Sequence, residues 1–387
     1  GKLGNMHALG IIAETSNVKM GELGTTTFRP PYTPLTFGTI VGRNVGEYFD
    51  TFRRTPMNDW HIEKKTQFEN VGQWKRAWYY PKNNETMHEA VQRESKAARN
   101  SAGILDASTL GKIDIQGTDA SEFLNRVYTN AWSKLAIGKC RYGLMLNEDG
   151  MVYDDGVTTR LDENHYIMTT TTGGAANVLG KLEDYLQTEW PELDVYLSSV
   201  TDHYATASIC GPNSKKILNK LIPNLDLSDE SFPHMSFKNA KIDNIKCRIM
   251  RISFTGEHSY EINIQANYGE DLWRKCMDAG EEFNITPYGT ETMHLLRAEK
   301  GFIIVGQDTD ATMTPIDLQM DWIVNKKKYD FIGKRSLYRS DTMKEDRKQL
   351  VGLLTDNPSE VLEEGAQIVA DTSLKPVEML GLSLIHI

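Results

Sequence analysis

The chain has 387 residues, of which 40% are hydrophobic and 25% are charged, and its formal net charge is −10. This composition predicts a globular protein that is long enough for two or more domains. The acidic balance, without an arginine-rich stripe, argues against a nucleic-acid partner, and no apolar run is long enough to predict a membrane span. Four scattered cysteines without CxxC spacing favour reduced thiols over disulfides or a zinc site, so we expect a cytoplasmic protein without a bound metal.

Residues 1–54 do not have the pattern of a complete domain. Met6–Ala13 has the pattern of a helix end, and Thr25–Pro34 is an extended connector because proline and the residue before it avoid the helix. The chain starts without Met, a basic region or an apolar signal core. We therefore expect this stretch to be the tail of a larger N-terminal region, followed by a linker.

Helical and strand patterns alternate along the rest of the chain. Apolar residues at helical spacing predict the helices Met87–Ser101, Ala120–Val127, Ala175–Gln187, Ser214–Leu221, Glu270–Gly280 and Glu291–Gly301. Apolar runs bounded by turn residues predict strands His165–Thr172 and Tyr204–Cys210 and hairpins over Gly103–Gly117 and Ile249–Ile264. Because long parallel-strand runs are missing from the sequence, the pattern predicts an α+β fold rather than a doubly wound sheet.

The C-terminal stretch changes character. Lys348–Leu354 and Gly365–Val369 have the pattern of strands in a small β module. The sequence then ends in an apolar tail, Leu380–Ile387, which would leave a strand edge unpaired. We therefore expect a module that is cut short, and it stays open whether residues 382–387 belong to the natural protein.

The central stretch Arg141–Val157 predicts a strand, a tight turn at Asn147–Gly150 and a returning strand. The returning strand carries two adjacent carboxylates, Asp154 and Asp155, which alternation along a strand places on opposite faces, one inward and one outward. An inward carboxylate needs a partner to offset its desolvation, and such positions are enriched in function. The alternative is that both aspartates only end an exposed strand.

Familiar catalytic motifs are missing from the sequence, which contains no P-loop, GxSxG, HExxH or EF-hand pattern. Glu261 interrupts an otherwise largely apolar strand, where a carboxylate is costly unless it meets a cation or a ligand N–H. A pterin ring is one ligand with such donors, although the spacing alone does not select it. Lys326–Lys328 is either a solvated turn or a dock for a polyanionic tail.

From about Arg53 to Leu380 the chain resembles the folate-dependent aminomethyltransferase family. The resemblance is carried, in order, by Gly103–Ser108, Phe123–Asn125 with Thr129 and Asn130, Tyr142–Met145, Asp149–Asp155, Gly211-Pro212, Thr255-Gly256 with Tyr260-Glu261, Leu296–Glu299 and Gly306–Asp308. It implies an aminomethyltransferase-like folate-binding fold with a truncated C-terminal β-barrel domain. The division that it implies is 1–54, 55–340 and 341–387, the middle segment being the folate-binding domain.

A narrower resemblance is to the family of alpha subunits of heterotetrameric sarcosine oxidases. It is carried by Thr25–Tyr32, Arg54–Met57, Asp106–Lys112, Tyr128–Lys134, Leu186–Glu192 and Pro287–His294. This resemblance implies tetrahydrofolate as the ligand of this chain, NAD in a missing N-terminal half, and FAD or FMN on a partner subunit. It also implies a beta subunit, with gamma and delta subunits, as partners, and a sarcosine-derived imine as the group trapped by folate. Two alternatives are a stand-alone folate-dependent transferase or demethylase and a non-catalytic folate-binding module.

The same resemblance implies roles for individual side chains. Asp155 corresponds to an essential acidic residue that contacts folate, and Glu261 to the carboxylate that holds the pterin. Tyr142 and Phe254 correspond to aromatic pocket positions, with Phe254 in place of the usual tyrosine. A family asparagine that contacts the pterin is replaced by Thr171 in the stretch that begins at Thr169. A family arginine has no clear counterpart near residues 290–293, and Lys326–Lys328 is a weak substitute for binding the glutamate tail.

Overall fold

This computed structural model describes residues 2–19, 51–357, 360, 362–363, 365–369, 371, 373 and 379–382. The chain divides into two compact units, residues 1–51 and 52–387. In the first unit, helix α1 (Lys2–Ser16) includes the predicted helical stretch, whereas the predicted connector Thr25–Pro34 lies outside the described residues. Among the helices that the structure describes, none has the length and apolar character needed to cross a membrane. The predicted division at residues 54 and 340 stays a prediction.

The helices of the second unit follow the predicted apolar spacing closely. Helix α3 begins with a capping box, in which the Thr86 side chain accepts from Glu89 N and the Glu89 side chain accepts from Thr86 N. The α-helices are α2 (Asn58–Glu63), α3 (Met87–Asn100), α4 (Ala120–Val127), α5 (Ala175–Thr188), α6 (Ser214–Leu221), α7 (Gly269–Gly280) and α8 (Thr290–Ala298). Short 3₁₀ turns lie at Thr201–His203, Ala266–Tyr268, Glu281–Phe283, Asp321–Ile323 and Arg335–Tyr338.

Two larger sheets form the framework of this unit. The six-stranded sheet has the order β10-β11-β12-β9-β3-β13, and the five-stranded sheet has the order β5-β6-β7-β4-β8. Two further pairs, β1–β2 and β14–β15, are antiparallel. The strands are β1 (Gln67–Val71), β2 (Trp74–Tyr79), β3 (Gly103–Asp106), β4 (Gly111–Gln116), β5 (Cys140–Leu146), β6 (Val152–Asp162), β7 (His165–Thr170), β8 (Tyr196–Ser199), β9 (Tyr204–Cys210), β10 (Ser236–Ile242), β11 (Ile245–Arg251), β12 (Ser259–Gln265), β13 (Thr286–Pro287), β14 (Gln367–Val369) and β15 (Met379–Leu382).

Apolar packing covers both faces of these sheets. One core lies between the six-stranded sheet and helices α6 and α7, and a second lies between the five-stranded sheet and helices α4 and α5. On their other faces the two sheets meet each other through a small cluster of buried side chains, Cys140, Ile167, Met250 and Ile252. We call this region the inter-sheet layer. The arrangement confirms the predicted α+β class.

The predicted hairpin over Gly103–Gly117 is wrong, although both of its strands exist. Strand β3 pairs with β9 in the six-stranded sheet, whereas β4 pairs with β7 and β8 in the five-stranded sheet. The connection between them therefore passes from one sheet to the other. Turn residues between two apolar runs show that the chain bends, but they do not show which strands the runs will pair with.

Two other predicted boundaries also differ. Lys348–Leu354 forms no strand, and its backbone is tied to the domain by the bond from Leu350 N to Asp317 O. The apolar pattern predicts a strand with one buried face, but the side chain of the leucine at position 354 is fully exposed. Helix α8 ends at Ala298, earlier than predicted, and Gly301 then takes a φ of +71° that favours glycine.

Candidate functional site

The predicted central hairpin is present and carries the first part of the candidate site. Its turn is held by the Asn147 side-chain oxygen, which accepts from Asp149 N at 3.1 Å and Met151 N at 3.0 Å. Gly150 adopts a φ of +83°, as such a turn requires. The register across the strands places Leu144 opposite Asp155.

The two adjacent aspartates have different surroundings. Asp154 is 1% exposed and accepts hydrogen bonds from Asp155 N (2.7 Å), Thr171 N (3.3 Å) and Thr171 Oγ1 (3.2 Å). Burial raises the pKa of Asp154 to about 6, and these hydrogen bonds oppose the rise. Asp154 therefore ties strand β6 to the segment that leads into helix α5.

Asp155 lies on the other face of the strand and is half-buried. Tyr142 Oη donates a hydrogen bond of 2.6 Å to Asp155 Oδ2. Burial raises the pKa of Asp155 to about 7; the bond from Tyr142 opposes this rise, and the charge of Asp154 adds to it. A carboxyl group with such a pKa exchanges a proton readily near neutrality.

Opposite faces were correctly predicted for the two aspartates, but the expectation that one would point outward is wrong. Neither carboxylate is exposed, which also excludes the alternative of an exposed strand end. The physical reason is that both faces of the five-stranded sheet are covered, one by helices and one by the second sheet. Alternation in a sequence separates two faces but does not show what covers each of them.

The second part of the site is Glu261 in strand β12. Its register neighbours are Met250 and Ser208, and Met250 belongs to the inter-sheet layer. The Glu261 side chain is half-buried and accepts no hydrogen bond from any residue that the structure describes. Burial raises the pKa of Glu261 to about 7, and the charge of Lys112 opposes the rise.

Lys112 was not among the predicted site residues. It lies in strand β4, is 2% exposed, and its ammonium group donates to Ser108 O (3.1 Å) and Leu110 O (3.0 Å). Burial lowers the pKa of Lys112 to about 8, while the charge of Glu261 works in the opposite direction. A signal is present in the sequence, since Lys112 and Asp114 alternate with the apolar residues Ile113 and Ile115 along one strand.

A continuous row of side chains crosses the five-stranded sheet on its inter-sheet face. Tyr142 lies opposite Val157. Thr169 Oγ1 donates to Val157 O at 3.0 Å and accepts from Val157 N at 2.9 Å, and Thr169 in turn lies opposite Lys112. Asp155 is two residues before Val157 and so shares this face. The predicted residues Tyr142, Asp155 and Thr169 are thus brought together on one sheet, with Glu261 on the facing sheet.

The other two predicted residues have different contacts. The hydroxyl of Thr171 is engaged by Asp154, and it also accepts from Gly174 N at 3.1 Å. Phe254 follows strand β11 in a loop, is 37% exposed, and stacks on Phe302 with ring centroids 6.4 Å apart. Neither contact joins these residues to the row on the inter-sheet face.

A cleft of about 760 Å³ adjoins Tyr142. Lys326 and Lys327 line this cleft and are exposed. Lys328 differs from them because its ammonium group donates to backbone carbonyls at the end of helix α4 and beyond it, including Asn130 O at 3.0 Å. Burial lowers the pKa of Lys328 to about 7. In the described part of the chain, no group of three or more metal-ligating side chains is found.

Residues 57–328 match the family described as GCVT N-terminal domain, and residues 1–43 match the sarcosine oxidase A3 domain. A similar solved structure is the glycine cleavage system aminomethyltransferase T from Bartonella henselae, with a TM-score of 0.64, 24% identity and 74% of each chain covered. An aminomethyltransferase from Thermoanaerobacter sp. (strain X514) is 32% identical over 70% of this chain and 72% of its own length. The chain therefore belongs to the aminomethyltransferase family, and the predicted fold is confirmed.

A more specific similarity is to sarcosine oxidase alpha subunits. The sarcosine oxidase subunit alpha of Corynebacterium sp. (strain P-1) is 55% identical over 97% of this chain. The match covers 39% of that relative, so the chain spans about two fifths of its length. The predicted resemblance to both groups is confirmed.

Proposed function

We propose that this chain is the tetrahydrofolate-binding part of a sarcosine oxidase alpha subunit. In this proposal the one-carbon group of oxidised sarcosine is trapped as 5,10-methylenetetrahydrofolate and glycine is released. The similarity to named alpha subunits over nearly the whole chain supports the assignment. The observation that carries the site is the Tyr142–Asp155 hydrogen bond on the face that looks across to Glu261, whose carboxylate lacks a donor in the described structure.

The inter-sheet layer has the chemistry that a pterin needs. The pyrimidine edge of a pterin offers N–H donors, and Glu261 is a half-buried acceptor that no described donor satisfies. We assign Glu261 to the pterin edge, and Tyr142 and Thr169 to the walls of the same site. Thr171 and Phe254 are assigned to it by resemblance alone, because Thr171 donates to Asp154 and Phe254 stacks on Phe302.

Asp155 is the residue that we assign to catalysis. Tetrahydrofolate supplies the amine nitrogens that take up the one-carbon group. Asp155 accepts and returns a proton near those nitrogens, since its pKa of about 7 suits exchange at neutral pH. Tyr142 holds the carboxyl group in place through its hydroxyl. Binding between the two sheets would limit contact with water, which hydrolyses a reactive imine to formaldehyde.

The proposal has consequences beyond this chain. NAD in a further N-terminal region, a flavin on a beta subunit, and gamma and delta subunits belong to the proposed assembly, and no described residue is assigned to them. The sarcosine-derived imine would reach this domain from the flavin site. The four cysteines are all buried and free, which supports a reducing, cytoplasmic location.

The test uses the intact protein that contains this chain, supplied with sarcosine and tetrahydrofolate. We expect Asp155→Asn to keep sarcosine oxidation while formaldehyde release rises at the expense of methylenetetrahydrofolate. Asp114→Asn is a matched control, because Asp114 is on the same sheet and pairs with His165 at 2.7 Å. An unchanged yield of methylenetetrahydrofolate in Asp155→Asn would refute the role of Asp155.

Binding measurements separate the remaining alternatives. Calorimetry of tetrahydrofolate with the wild type, Asp155→Ala and Glu261→Ala should give saturable binding that both variants lose or weaken. Folate binding without any support of sarcosine turnover would favour a non-catalytic module. One-carbon transfer from another amine, without sarcosine oxidation, would favour a stand-alone transferase or demethylase.

A further inference from the structure

The inter-sheet layer contains a second group of polar side chains that lack partners. Arg248 lies two residues before Met250 in strand β11 and therefore shares its face, which lies towards the five-stranded sheet. Asn263 lies two residues after Glu261 in strand β12, on the same face of the six-stranded sheet. The register places Arg248 opposite Asn263, as it places Met250 opposite Glu261. The Cβ atoms of such a pair are about 5 Å apart, so the two side chains can contact the same ligand.

The donor nitrogens of this pair are buried and unsatisfied. The Nε and Nη1 atoms of Arg248 and the Nδ2 atom of Asn263 donate to no residue that the structure describes. Asn263 is 6% exposed, and its side-chain oxygen accepts from Thr206 Oγ1 at 2.7 Å. That hydrogen bond occupies one end of the amide and leaves the NH₂ end free. A buried donor without an acceptor is costly, and adjacent side chains that share this cost mark a place where a ligand would supply the acceptor.

The charge of Arg248 also lacks a counterion. Arg248 is half-buried and forms no ion pair within the described part of the chain. Its guanidinium carbon lies 5.9 Å from the centroid of the Tyr204 ring and 5.9 Å from that of the Phe237 ring, and both rings pack against the inter-sheet layer. Burial raises the pKa of Cys140 to about 12; the charge of Glu261 adds to this rise, and the charge of Arg248 opposes it. Arg248 and Glu261 therefore act on the same thiol without pairing with each other.

Arg251, three residues later in the same strand, provides an internal comparison. Its guanidinium pairs with Asp229 at 2.7 Å and donates to Phe232 O at 2.6 Å. The protein thus supplies both a counterion and an acceptor to one arginine of strand β11. It supplies neither to Arg248 from the residues that the structure describes, so an anionic ligand would offset the cost of burying that charge.

The unsatisfied donors match a carboxylate. A carboxylate presents two oxygens to the planar fork of a guanidinium, and an amide NH₂ can donate to one of them. Arg248 is diagonal to Glu261 across the two strands, at roughly 7–8 Å, so the ligand group would lie beside the pterin edge. The carboxylates of tetrahydrofolate are at the opposite end of that molecule and do not fit this position. The other molecules of the proposed reaction that carry a carboxylate are the sarcosine-derived imine and glycine.

The layer opens to solvent next to this pair. Asn239 is the register neighbour of Arg248 on its other side, and it is exposed. Its strand, β10, is an outer strand of the six-stranded sheet. An amino acid bound to Arg248 would therefore lie close to an open edge of the layer, where it can exchange with solvent.

We propose that Arg248 and Asn263 form a carboxylate-binding site for the amino-acid part of the reaction, first of the imine and then of glycine. The inference rests on the proposed function, because it takes the imine and the position of the pterin from that function. A bound carboxylate fixes the one-carbon end of the imine relative to the folate nitrogens. Capture by folate is thereby favoured over hydrolysis.

The test uses the intact protein that contains this chain, supplied with sarcosine and tetrahydrofolate. The measured quantity is the capture ratio, which is the amount of methylenetetrahydrofolate formed divided by the amount of formaldehyde released. We expect Arg248→Met to lower the capture ratio about tenfold, as the loss of charge-assisted hydrogen bonds to a carboxylate implies. Added glycine should compete with the imine and lower the capture ratio of the wild type. In Arg248→Met about tenfold more glycine should be needed for the same relative decrease.

Asn263→Asp separates ligand binding from a role in folding. The new carboxylate would lie opposite Arg248, keep an acceptor for Thr206 and supply the counterion from the protein itself. We expect this variant to resist urea at least as well as the wild type and yet to lose capture as Arg248→Met does. Lys246→Met is the control, because it removes an exposed cation from the same strand two residues earlier, and it should keep the capture ratio of the wild type.

An unchanged capture ratio in Arg248→Met would overturn the inference. The same would follow if Lys246→Met lowered the ratio equally, or if Asn263→Asp kept the wild-type ratio, since the pair would then serve the fold alone. Sulfate that lowers the capture ratio as strongly as glycine would mark a general anion site and would also overturn it. Each of these results leaves the proposed function intact, whereas a wild type that forms no methylenetetrahydrofolate would refute the proposed function itself.

Discussion

Two regions of the molecule bury a carboxylate in different ways. Glu94 in helix α3 is fully buried, and it accepts hydrogen bonds from Tyr80 N (2.8 Å), Gly289 N (3.1 Å) and Thr292 Oγ1 (2.7 Å). Glu261 in the inter-sheet layer is less buried, yet it accepts none from the residues that the structure describes. A carboxylate with its donors in place stabilises a fold, whereas one without them is costly until a ligand supplies them. The missing donors, rather than the degree of burial, distinguish Glu261 from Glu94.

The largest effect that we predict is a loss of stability when Glu94, the carboxylate with all its donors in place, is removed. Glu94→Ala leaves Tyr80 N, Gly289 N and the Thr292 hydroxyl buried without their acceptor. We therefore expect the free energy of unfolding to drop by about 3 kcal/mol. Urea denaturation at neutral pH measures this change. Gln92→Ala in the exposed part of the same helix is the control and should stay within about 0.5 kcal/mol of the wild type. A loss of similar size in both variants would show that the buried hydrogen bonds of Glu94 are not responsible.

Glu261→Gln should mainly weaken tetrahydrofolate binding, whereas Glu94→Ala mainly lowers the free energy of unfolding. The amide keeps one acceptor oxygen but loses the charge, so we expect tetrahydrofolate affinity to fall about tenfold, or about 1.4 kcal/mol. Calorimetry measures the affinity, and Glu230→Gln, which changes an exposed carboxylate, is the control. Equal affinity of Glu261→Gln and the wild type would remove Glu261 from the pterin site.

Glu261 also makes the stability of the wild type depend on pH in a defined direction. The pKa of Glu261 is raised to about 7 in the folded protein, against an ordinary value near 4.3 in the unfolded chain. Between these values the folded state binds more protons, so the contribution of Glu261 to stability falls as pH rises and is lowest above about 7. Glu261→Gln lacks this fall, so we expect its free energy of unfolding to gain on that of the wild type between pH 5 and pH 8. Urea denaturation at the two pH values checks the sign.

Local sequence signals predicted the central hairpin but not the pairing of its neighbours. The side chain of Asn147 and the positive φ of Gly150 form the turn from within the stretch itself. The hairpin predicted over Gly103–Gly117 failed because each strand pairs with partners far along the chain, as Leu105 does with Ser208. Pairing of that kind leaves no trace in the spacing of a single segment.

The candidate site was predictable only in part, for a similar reason. Resemblance supplied Asp155 and Glu261, but the partner that opposes the burial of Glu261 is Lys112, from a strand of the other sheet. The cleft likewise combines residues from 130–142 with residues from 322–327. These two stretches are far apart in the sequence, so no local pattern predicts that they meet. Lys326–Lys328 looked uniform in the sequence, and the carbonyls around Lys328 separate it from the other two.

The smallest predicted effect tests whether Lys112 and Glu261 act as a pair across the inter-sheet layer. If the ionised form of Glu261 accepts the pterin N–H groups, folate affinity in the wild type should rise with pH through about 7. Lys112→Met removes the charge that keeps the pKa of Glu261 down, so the midpoint of this rise should move upward by roughly half a pH unit. Lys112→Arg keeps a cation and should restore the midpoint. Calorimetry from pH 5.5 to pH 8.5 gives the three curves.

The midpoint distinguishes this electrostatic role from a structural one. The charges of Asp106 and Asp202 also raise the pKa of Lys112, and the charge of Glu261 raises the pKa values of Cys140 and Tyr288. These four residues must therefore be the same in all three proteins that are compared. A purely structural Lys112, whose donation to the Ser108 and Leu110 carbonyls is all that matters, would lower affinity equally at every pH. An unmoved midpoint in Lys112→Met would therefore break the pair. A midpoint that moves in Lys112→Met and returns in Lys112→Arg would show that the cation on one sheet tunes the acceptor on the other.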